Sequence, residues 1–214
     1  MQRQTVLGLA AACLALTLSA CAPQPTCLEL IPVRGTAVDD LGVAGPVCLQ
    51  DDEVTARFET ATWADLQAQA REVTGDPALT LSVGALDIEP NHPTRDERLV
   101  FLADDLGRMY GFEPSSQTLR VIQPSALVRA EQDQAVSHEN LRTRAQGYAA
   151  QYAPVVLADD GAWVYSEGVK DPIYFFDWTS NGTTPAGQNP HRFLVALLPD
   201  GQLFSYMNFT PAGD

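Results

Sequence analysis

Basic residues are scarce in this sequence. It has 13 lysines and arginines against 27 aspartates and glutamates, a formal net charge of −14 at pH 7, and Lys170 is its only lysine. Proteins that bind nucleic acids neutralise phosphates with lysine and arginine. Proteins that bind peripherally to membranes use the same residues to attract anionic lipid. The composition therefore argues against both kinds of binding, and we interpret the acidic excess as a solvated surface.

Recognisable catalytic motifs are also missing. The sequence has no Gly-x-Ser-x-Gly, no His-Glu-x-x-His, no glycine-rich phosphate loop and no EF-hand spacing. The three histidines, His92, His138 and His191, lie in or beside polar segments without a nucleophile motif, which is typical of solvated surface histidines. We therefore expect no catalytic residue, no metal site and no cofactor. Four aspartate pairs are interpreted as solvated loop residues rather than calcium ligands: Asp39-Asp40, Asp51-Asp52, Asp104-Asp105 and Asp159-Asp160.

Only the N-terminus contains a long apolar run. Residues 6–18 are apolar and uncharged, follow a short segment that carries Arg3, and lead into Leu18-Ser19-Ala20-Cys21. A run of about 13 residues is too short to cross a hydrocarbon core of about 30 Å as a helix. The run therefore predicts an export signal and not a membrane helix.

Residues 18–21 resemble the lipobox of bacterial lipoproteins. The resemblance implies that the Cys21 thiol receives diacylglycerol, that residues 1–20 are removed, and that the new amino terminus is acylated. Residues 21–26, with Pro23 and Pro25, would be the lipidated tether. Ala22 is not the aspartate that favours inner-membrane retention, so the resemblance implies an outer-membrane anchor facing the periplasm, with the inner membrane or the cell surface as alternatives. The alternative to the lipobox is an ordinary secretory signal with a chance cysteine at its cleavage site.

Cysteine is scarce in the remainder of the chain. Of four cysteines, Cys13 lies inside the apolar run and Cys21 at its end, which leaves Cys27 and Cys48. Two cysteines are too few for a zinc-finger type of site. Because an exported protein meets an oxidising compartment, a Cys27–Cys48 disulfide is predicted.

Two segments have helical periodicity. Residues 60–74 predict a first helix, in which Thr62 can cap the start. Residues 137–153 predict a second helix, capped by Ser137. Each has one apolar stripe, formed by Trp63, Leu66, Ala70 and Val73 in the first helix and by Leu141, Ala145, Tyr148 and Tyr152 in the second.

The other apolar segments predict strands. They cover residues 27–34, 46–50, 79–83, 98–103, 108–113, 118–123, 163–167, 173–179, 192–198 and 202–209. Extended segments are the alternative for residues 27–34 and 46–50, and a helix is the alternative for residues 98–103. Residues 192–198 are apolar on both alternations, which predicts an interior strand, and Pro199-Asp200-Gly201 predicts a hairpin turn after it. Residues 124–136 are polar and are expected to be a partly helical connector. Together these elements predict an α+β fold with helices packed on one or more antiparallel sheets.

Ser137-His138-Glu139-Asn140-Leu141 and Pro199-Asp200-Gly201-Gln202-Leu203 give residues 137–214 a resemblance to the PepSY group, including its tandem relatives in bacterial envelope proteins. Those units pack a helix rich in small residues on an antiparallel sheet. The resemblance implies two related units, residues 27–123 and 137–214, the first following the pattern less completely. It also implies inhibition or regulation of a periplasmic peptidase.

The sequence offers one candidate binding surface. The loop over residues 180–191 is long and nearly uncharged, with Asn181, Asn189 and His191, and the strand before it places Tyr174, Phe176 and Trp178 on one face. Packing into the core is the alternative for these aromatic residues. The preferred hypothesis is a non-catalytic lipoprotein that binds another envelope protein or component. Its rival is a periplasmic hydrolase or cell-wall enzyme in which the fold brings two carboxylates together in a cleft.

Overall fold

The computed structural model describes residues 47–49, 51–58, 61–87, 99–125, 128–129, 134–158, 161–182 and 189–211. These ranges contain three α-helices, α1 (Asp51–Ala56), α2 (Trp63–Thr74) and α3 (His138–Tyr152), and a 3-10 turn at Pro154–Leu157. They also contain nine strands: β1 (Val47–Leu49), β2 (Ser82–Asp87), β3 (Leu99–Ala103), β4 (Met109–Glu113), β5 (Thr118–Gln123), β6 (Trp163–Lys170), β7 (Ile173–Ser180), β8 (Arg192–Leu197) and β9 (Leu203–Asn208). Within these ranges, no helix has both the length and the apolar character needed to cross a bilayer.

All nine strands form one antiparallel sheet in the order β1-β2-β3-β4-β5-β9-β8-β7-β6. The sheet has two halves, each formed by a helix followed by four strands: α2 precedes β2–β5, and α3 precedes β6–β9. The halves meet where their last strands, β5 and β9, pair. The joint contains two paired positions, Val121 opposite Met207 and Ile122 opposite Tyr206. The predicted α+β fold is confirmed, and the two related helix-plus-strand units share a single sheet.

α2 has a capping box at its start and a left-handed glycine at its end. The Asp65 backbone N–H donates to the Thr62 hydroxyl, and the Thr62 backbone N–H donates to the Asp65 carboxylate at 2.8 Å, which forms a capping box. Gly75 ends the helix in the left-handed conformation with φ 70°. The apolar stripe faces inward as predicted, since Leu66, Ala70 and Val73 are buried.

α3 also agrees with its predicted cap and stripe. The Asn140 backbone N–H donates to the Ser137 hydroxyl at 3.2 Å. The helix buries Leu141, Ala145 and Ala149 against the sheet, and Tyr148 and Tyr152 are partly buried beside them. Small residues on this face let the helix axis lie close to the strands.

Two apolar clusters cover the two faces of the sheet. The first lies under α2 and α3 and combines residues of both halves, for example Tyr110 and Phe193. The second lies on the opposite face and includes Phe101, Met207 and Phe209. β8 contributes to both clusters, with Phe193, Val195 and Leu197 in the first and Leu194 and Ala196 in the second. Its predicted interior position is therefore confirmed.

Several local predictions need correction. β2 begins at Ser82, because Leu79 and Leu81 pack into the first cluster before the backbone joins the ladder. Asp51 and Asp52 open α1 and do not lie in a loop. Asp104 is buried and not solvated, for reasons given below, whereas Asp105 is exposed.

Some predicted features fall outside the described residues. They include the signal, the tether with Cys21, the segment with Cys27, His92 and residues 183–188. Cys48 lies in β1, and the Cys27–Cys48 disulfide stays a prediction. The described residues of the connector, 124–125, 128–129 and 134–136, lie in no helix.

Candidate functional site

The aromatic part of the predicted binding surface belongs mainly to the core. Tyr174, Phe176 and Trp178 do share one face of β7, but that face lies under α3. Phe176 and Trp178 are buried in the first cluster, and the Trp178 ring centroid is 5.6 Å from that of Phe193. The surface prediction therefore fails for these two residues, whereas Tyr174 is half-buried at the margin of the cluster.

The polar part of the predicted surface lies at the far end of β7. The Asn181 backbone N–H donates to the Ala162 carbonyl at 2.7 Å, and His191 Nδ1 lies 2.9 Å from the Phe209 carbonyl oxygen. Asn189 is half-buried nearby. A strand rises about 3.3 Å per residue, so Asn181 lies roughly 20 Å from Tyr174 along the sheet. The predicted residues are thus divided between two places and do not form one surface.

β6 forms an exposed outer edge of the sheet. All eight of its residues pair with β7 on one side, and no strand in the described ranges pairs with its other side. Val164, Tyr165 and Val169 are 52%, 40% and 59% exposed. We call residues Trp163–Lys170 the β6 edge. Its outward-facing backbone groups have no partner strand among the described residues, which is the arrangement that lets a sheet edge pair with another extended chain.

An ion-pair cluster attaches the β6 edge to the start of α3. Two nitrogens of the Arg142 guanidinium donate to the two Glu167 carboxylate oxygens at 2.9 and 2.6 Å, and the Tyr165 hydroxyl donates to the same carboxylate at 2.7 Å. His138 Nε2 lies 3.9 Å from Glu167. The hydrogen bonds from Arg142 and Tyr165 favour the ionised carboxylate and lower the pKa of Glu167 to about 2.

A cleft opens at the joint between the two halves. Backbone pairing of β5 with β9 stops at Val121 and Met207, and beyond that point Arg120 donates from its guanidinium to the Asn208 carbonyl at 3.3 Å. The resulting central cleft has a volume of about 400 Å³. It is lined by residues of α2, the β4–β5 hairpin, α3 and the end of β9: Gln69, Glu72, Val73, Ser116, Thr118, Leu119, Arg120, Gln151, Tyr152, Tyr206, Asn208, Thr210 and Pro211.

The floor of the central cleft is a fixed polar network. Arg120 Nε donates to the buried Glu113 carboxylate at 2.7 Å. The Asn208 amide donates to the Tyr152 carbonyl at 2.9 Å and to the Tyr206 hydroxyl at 3.2 Å, and its oxygen accepts from the Thr210 hydroxyl at 2.7 Å. Burial raises the pKa of the Tyr206 phenol, so the hydroxyl stays neutral.

The walls of the central cleft are joined at one point. Gln151 of α3 donates to the Glu72 carboxylate of α2 at 3.1 Å. Glu72 is the single carboxylate among the lining residues, and the Glu113 carboxylate beneath them is occupied by Arg120 and Ser116. The described lining therefore does not present the two carboxylates that the hydrolase hypothesis requires. The described ranges also contain no group of three or more histidines, cysteines, aspartates or glutamates placed to hold a metal ion.

Neither the β6 edge nor the central cleft was predicted as a site. Residues 163–167 are recognisable as a strand, but the order of strands in a sheet cannot be read from their local patterns. The cleft combines four separated segments, and the only local signals are polar residues inside apolar strands, Arg120 in β5 and Asn208 in β9.

Comparison with known proteins gives little beyond this geometry. No protein-family model matches the chain, and no curated protein matches it. Among solved structures, the C-terminal domain of YpeB from Bacillus megaterium is similar to this chain with a TM-score of 0.45 and 8% sequence identity, over 72% of this chain and 68% of that one. A likeness of this size does not indicate what the chain binds.

Proposed function

We propose that this protein is a bacterial envelope lipoprotein, anchored through lipid on Cys21, whose folded part is a non-catalytic module that binds another envelope protein. The lipobox-like residues 18–21 support the anchor, and Ala22 after the cysteine supports an outer-membrane position facing the periplasm. The PepSY resemblance suggests a periplasmic peptidase as the partner, which binding would inhibit or regulate.

The exposed β6 edge is the observation that carries the binding role. Long, apolar and unpaired edge strands invite pairing with other chains, and soluble proteins usually protect them with charges, prolines or covering segments. β6 has eight residues and no proline, and Val164 and Val169 are more than half exposed. Its two charged residues are Glu167, which is paired with Arg142, and Lys170 at the end of the strand. An extended segment of a partner protein would add a tenth strand to the sheet, with hydrogen bonds from its backbone and contacts from its alternate side chains.

The ion-pair cluster supports the same role because it holds the edge in place. Arg142 fixes Glu167 of β6 to α3, and the Tyr165 ring lies 5.0 Å from the Trp178 ring of the core. An edge that is already ordered loses less conformational entropy when a partner strand binds. The β6 edge is therefore built as a preorganised template.

Photocrosslinking in the native envelope tests this proposal. We expect a photoreactive amino acid at Val164 or Val169 to form an adduct with another envelope protein, whereas the same amino acid at exposed Gln146 of α3 should form none. A lysine on the β6 edge should prevent the partner strand from binding. With the photoreactive amino acid at Tyr165, the V164K and V169K variants should therefore form no adduct. V155K is the matched control, since Val155 is an exposed valine (43%) outside the β6 edge. Absence of adducts at every β6 position would refute the proposal.

The anchor requires a separate test. Mass spectrometry of protein extracted from membranes should find a mature chain that begins at an acylated Cys21, and the C21S variant should leave the membrane fraction. A mature chain that begins at another residue and carries no lipid would contradict the anchor. The binding role of the β6 edge does not depend on the anchor and would still be tested by photocrosslinking.

A further inference from the structure

The central cleft has the features of a ligand site that is independent of the β6 edge. Its volume of about 400 Å³ falls within the range of roughly 300–1,000 Å³ that is usual for small-molecule sites. It lies over the joint between the two halves, whereas β6 is the outermost strand of the sheet. A ligand in the cleft and a partner on the edge would not compete for the same atoms.

The charges of the cleft disfavour an anionic ligand. Arg120 is engaged by the Glu113 carboxylate and the Asn208 carbonyl, so its positive charge is already neutralised. The carboxylate of Glu72 accepts a hydrogen bond from Gln151. An anion would meet no uncommitted cation in the lining, and burial of an unpaired charge is costly. The lining therefore disfavours an anionic ligand, and its remaining groups are mostly neutral amides and hydroxyls.

The polar groups of the lining are those that match hydroxyl groups. Amides and hydroxyls both donate and accept hydrogen bonds, and a sugar hydroxyl does the same. The cleft presents the amide of Gln151 and the hydroxyls of Thr118 and Thr210. These groups already bond to Glu72, Ser116 and Asn208 respectively, and each keeps a further N–H group or lone pair. The Tyr152 hydroxyl has no hydrogen-bond partner among the described residues, and the Tyr152 ring offers an apolar face beside it.

The floor is arranged before any ligand arrives. The Asn208 side chain is held by four hydrogen bonds: it donates to the Tyr152 carbonyl and the Tyr206 hydroxyl, and it accepts from the backbone N–H and the hydroxyl of Thr210. Polar groups that are already held in place orient a ligand without a large entropic loss on binding. We propose that the central cleft binds a short neutral saccharide, with its hydroxyls on the amide and hydroxyl side chains and its carbon face on Tyr152.

Saturation-transfer difference NMR and calorimetry test the proposal on the C21S protein, which lacks the lipid anchor. The saccharides are maltose, cellobiose and N,N′-diacetylchitobiose at millimolar concentration, with the neutral tripeptide Ala-Gln-Ala as the peptide comparison. At least one saccharide should bind. Loss of one hydrogen bond weakens binding by roughly two- to tenfold, so Q151A and Y152F should each raise the Kd by about that factor.

Control variants on α3 distinguish loss of a contact in the cleft from a general disturbance of the helix. Gln146 and Tyr148 do not line the cleft, so Q146A and Y148F should leave the Kd unchanged. V169K, which blocks the β6 edge, should also leave it unchanged. Binding of the tripeptide alone, absence of binding by all three saccharides, or equal effects of the cleft and control variants would overturn the proposal.

Discussion

The carboxylate of Asp104 organises the turn between β3 and β4. One oxygen accepts from the backbone N–H groups of Leu106 and Arg108 at 3.0 and 2.8 Å. The other accepts from Arg108 Nε at 2.5 Å and from the Tyr110 hydroxyl at 2.9 Å. All four donors depend on one buried side chain, which is why this aspartate is not a solvated loop residue. Burial also raises the pKa of the Tyr110 phenol, so Tyr110 remains a donor at neutral pH.

Substitution of Asp104 should therefore be costly. D104A removes the acceptor of the buried Tyr110 hydroxyl and leaves the buried Arg108 guanidinium with only the more distant Asp76 carboxylate, 4.0 Å away. Loss of one partner of a buried ion pair costs about 3–5 kcal/mol. The exposed neighbour provides the control, since D105A should change the free energy of unfolding by less than about 0.5 kcal/mol. Urea denaturation followed by circular dichroism measures both values. Equal losses in the two variants would contradict the role given to Asp104.

The Arg142–Glu167 pair makes a pH-dependent contribution to stability. Because the hydrogen bonds from Arg142 and Tyr165 lower the pKa of Glu167 from 4.5 to about 2, the folded state favours the ionised carboxylate. The contribution is complete above the ordinary pKa and is lost as the pH falls from about 4.5 through about 2. R142A should melt slightly below the wild type at pH 7, and the difference should shrink across that window. A difference that stays constant down to pH 2 would contradict this assignment.

At the scale of elements, two strand glycines have opposite surroundings. A Cβ on Gly111 of β4 would lie 2.7 Å from a ring atom of Phe101, whereas a Cβ on Gly168 of β6 would have no neighbour within 4 Å. Phe101 packs across the β4 backbone, so a methyl group there must displace a buried ring.

G111A should consequently destabilise the sheet. Overpacking in a core costs about 1–3 kcal/mol, and that loss is expected here. G168A is the matched control and should be neutral or slightly stabilising, because alanine reduces the entropy of the unfolded chain. Thermal melting of both variants gives the comparison. Equal melting temperatures would show that Phe101 can move aside.

Elements with a clear period could be predicted from sequence, and others could not. α2 and α3 have both a capping residue and an apolar stripe, and β8 is apolar on both alternations. α1 has six residues, too few for a helical period to appear. Leu79 and Leu81 alternate like a strand but pack beneath α2 without a partner strand, because burial and strand pairing give the same local pattern.

The candidate sites depend on contacts between distant segments. Tyr174, Phe176 and Trp178 were correctly placed on one face, but whether that face is covered depends on where α3 packs. The β6 edge follows from strand order, and the central cleft follows from a joint of two paired positions between residues more than 80 apart in the chain. Local sequence patterns contain no information on such pairings.

At the scale of the whole molecule, the central question is whether the two halves unfold together. The joint between β5 and β9 has two paired positions, which alone would be a weak link. The first apolar cluster is continuous across it, however, and contains Leu66 of α2, Ile122 of β5 and Tyr206 of β9. The shared core outweighs the short ladder, because burial of apolar surface is the dominant favourable term in folding.

We therefore expect a single cooperative unfolding transition. In native-state hydrogen exchange, the most protected amides of β3 and β8 should open with the same free energy, equal to that of global unfolding. I122A removes a buried side chain at the joint and should lower both values together by about 2–5 kcal/mol. V164A at the exposed β6 edge should lower neither. If I122A reduced protection in only one half, the halves would be independent domains that share a sheet, and the central cleft between them would not be held in a fixed shape.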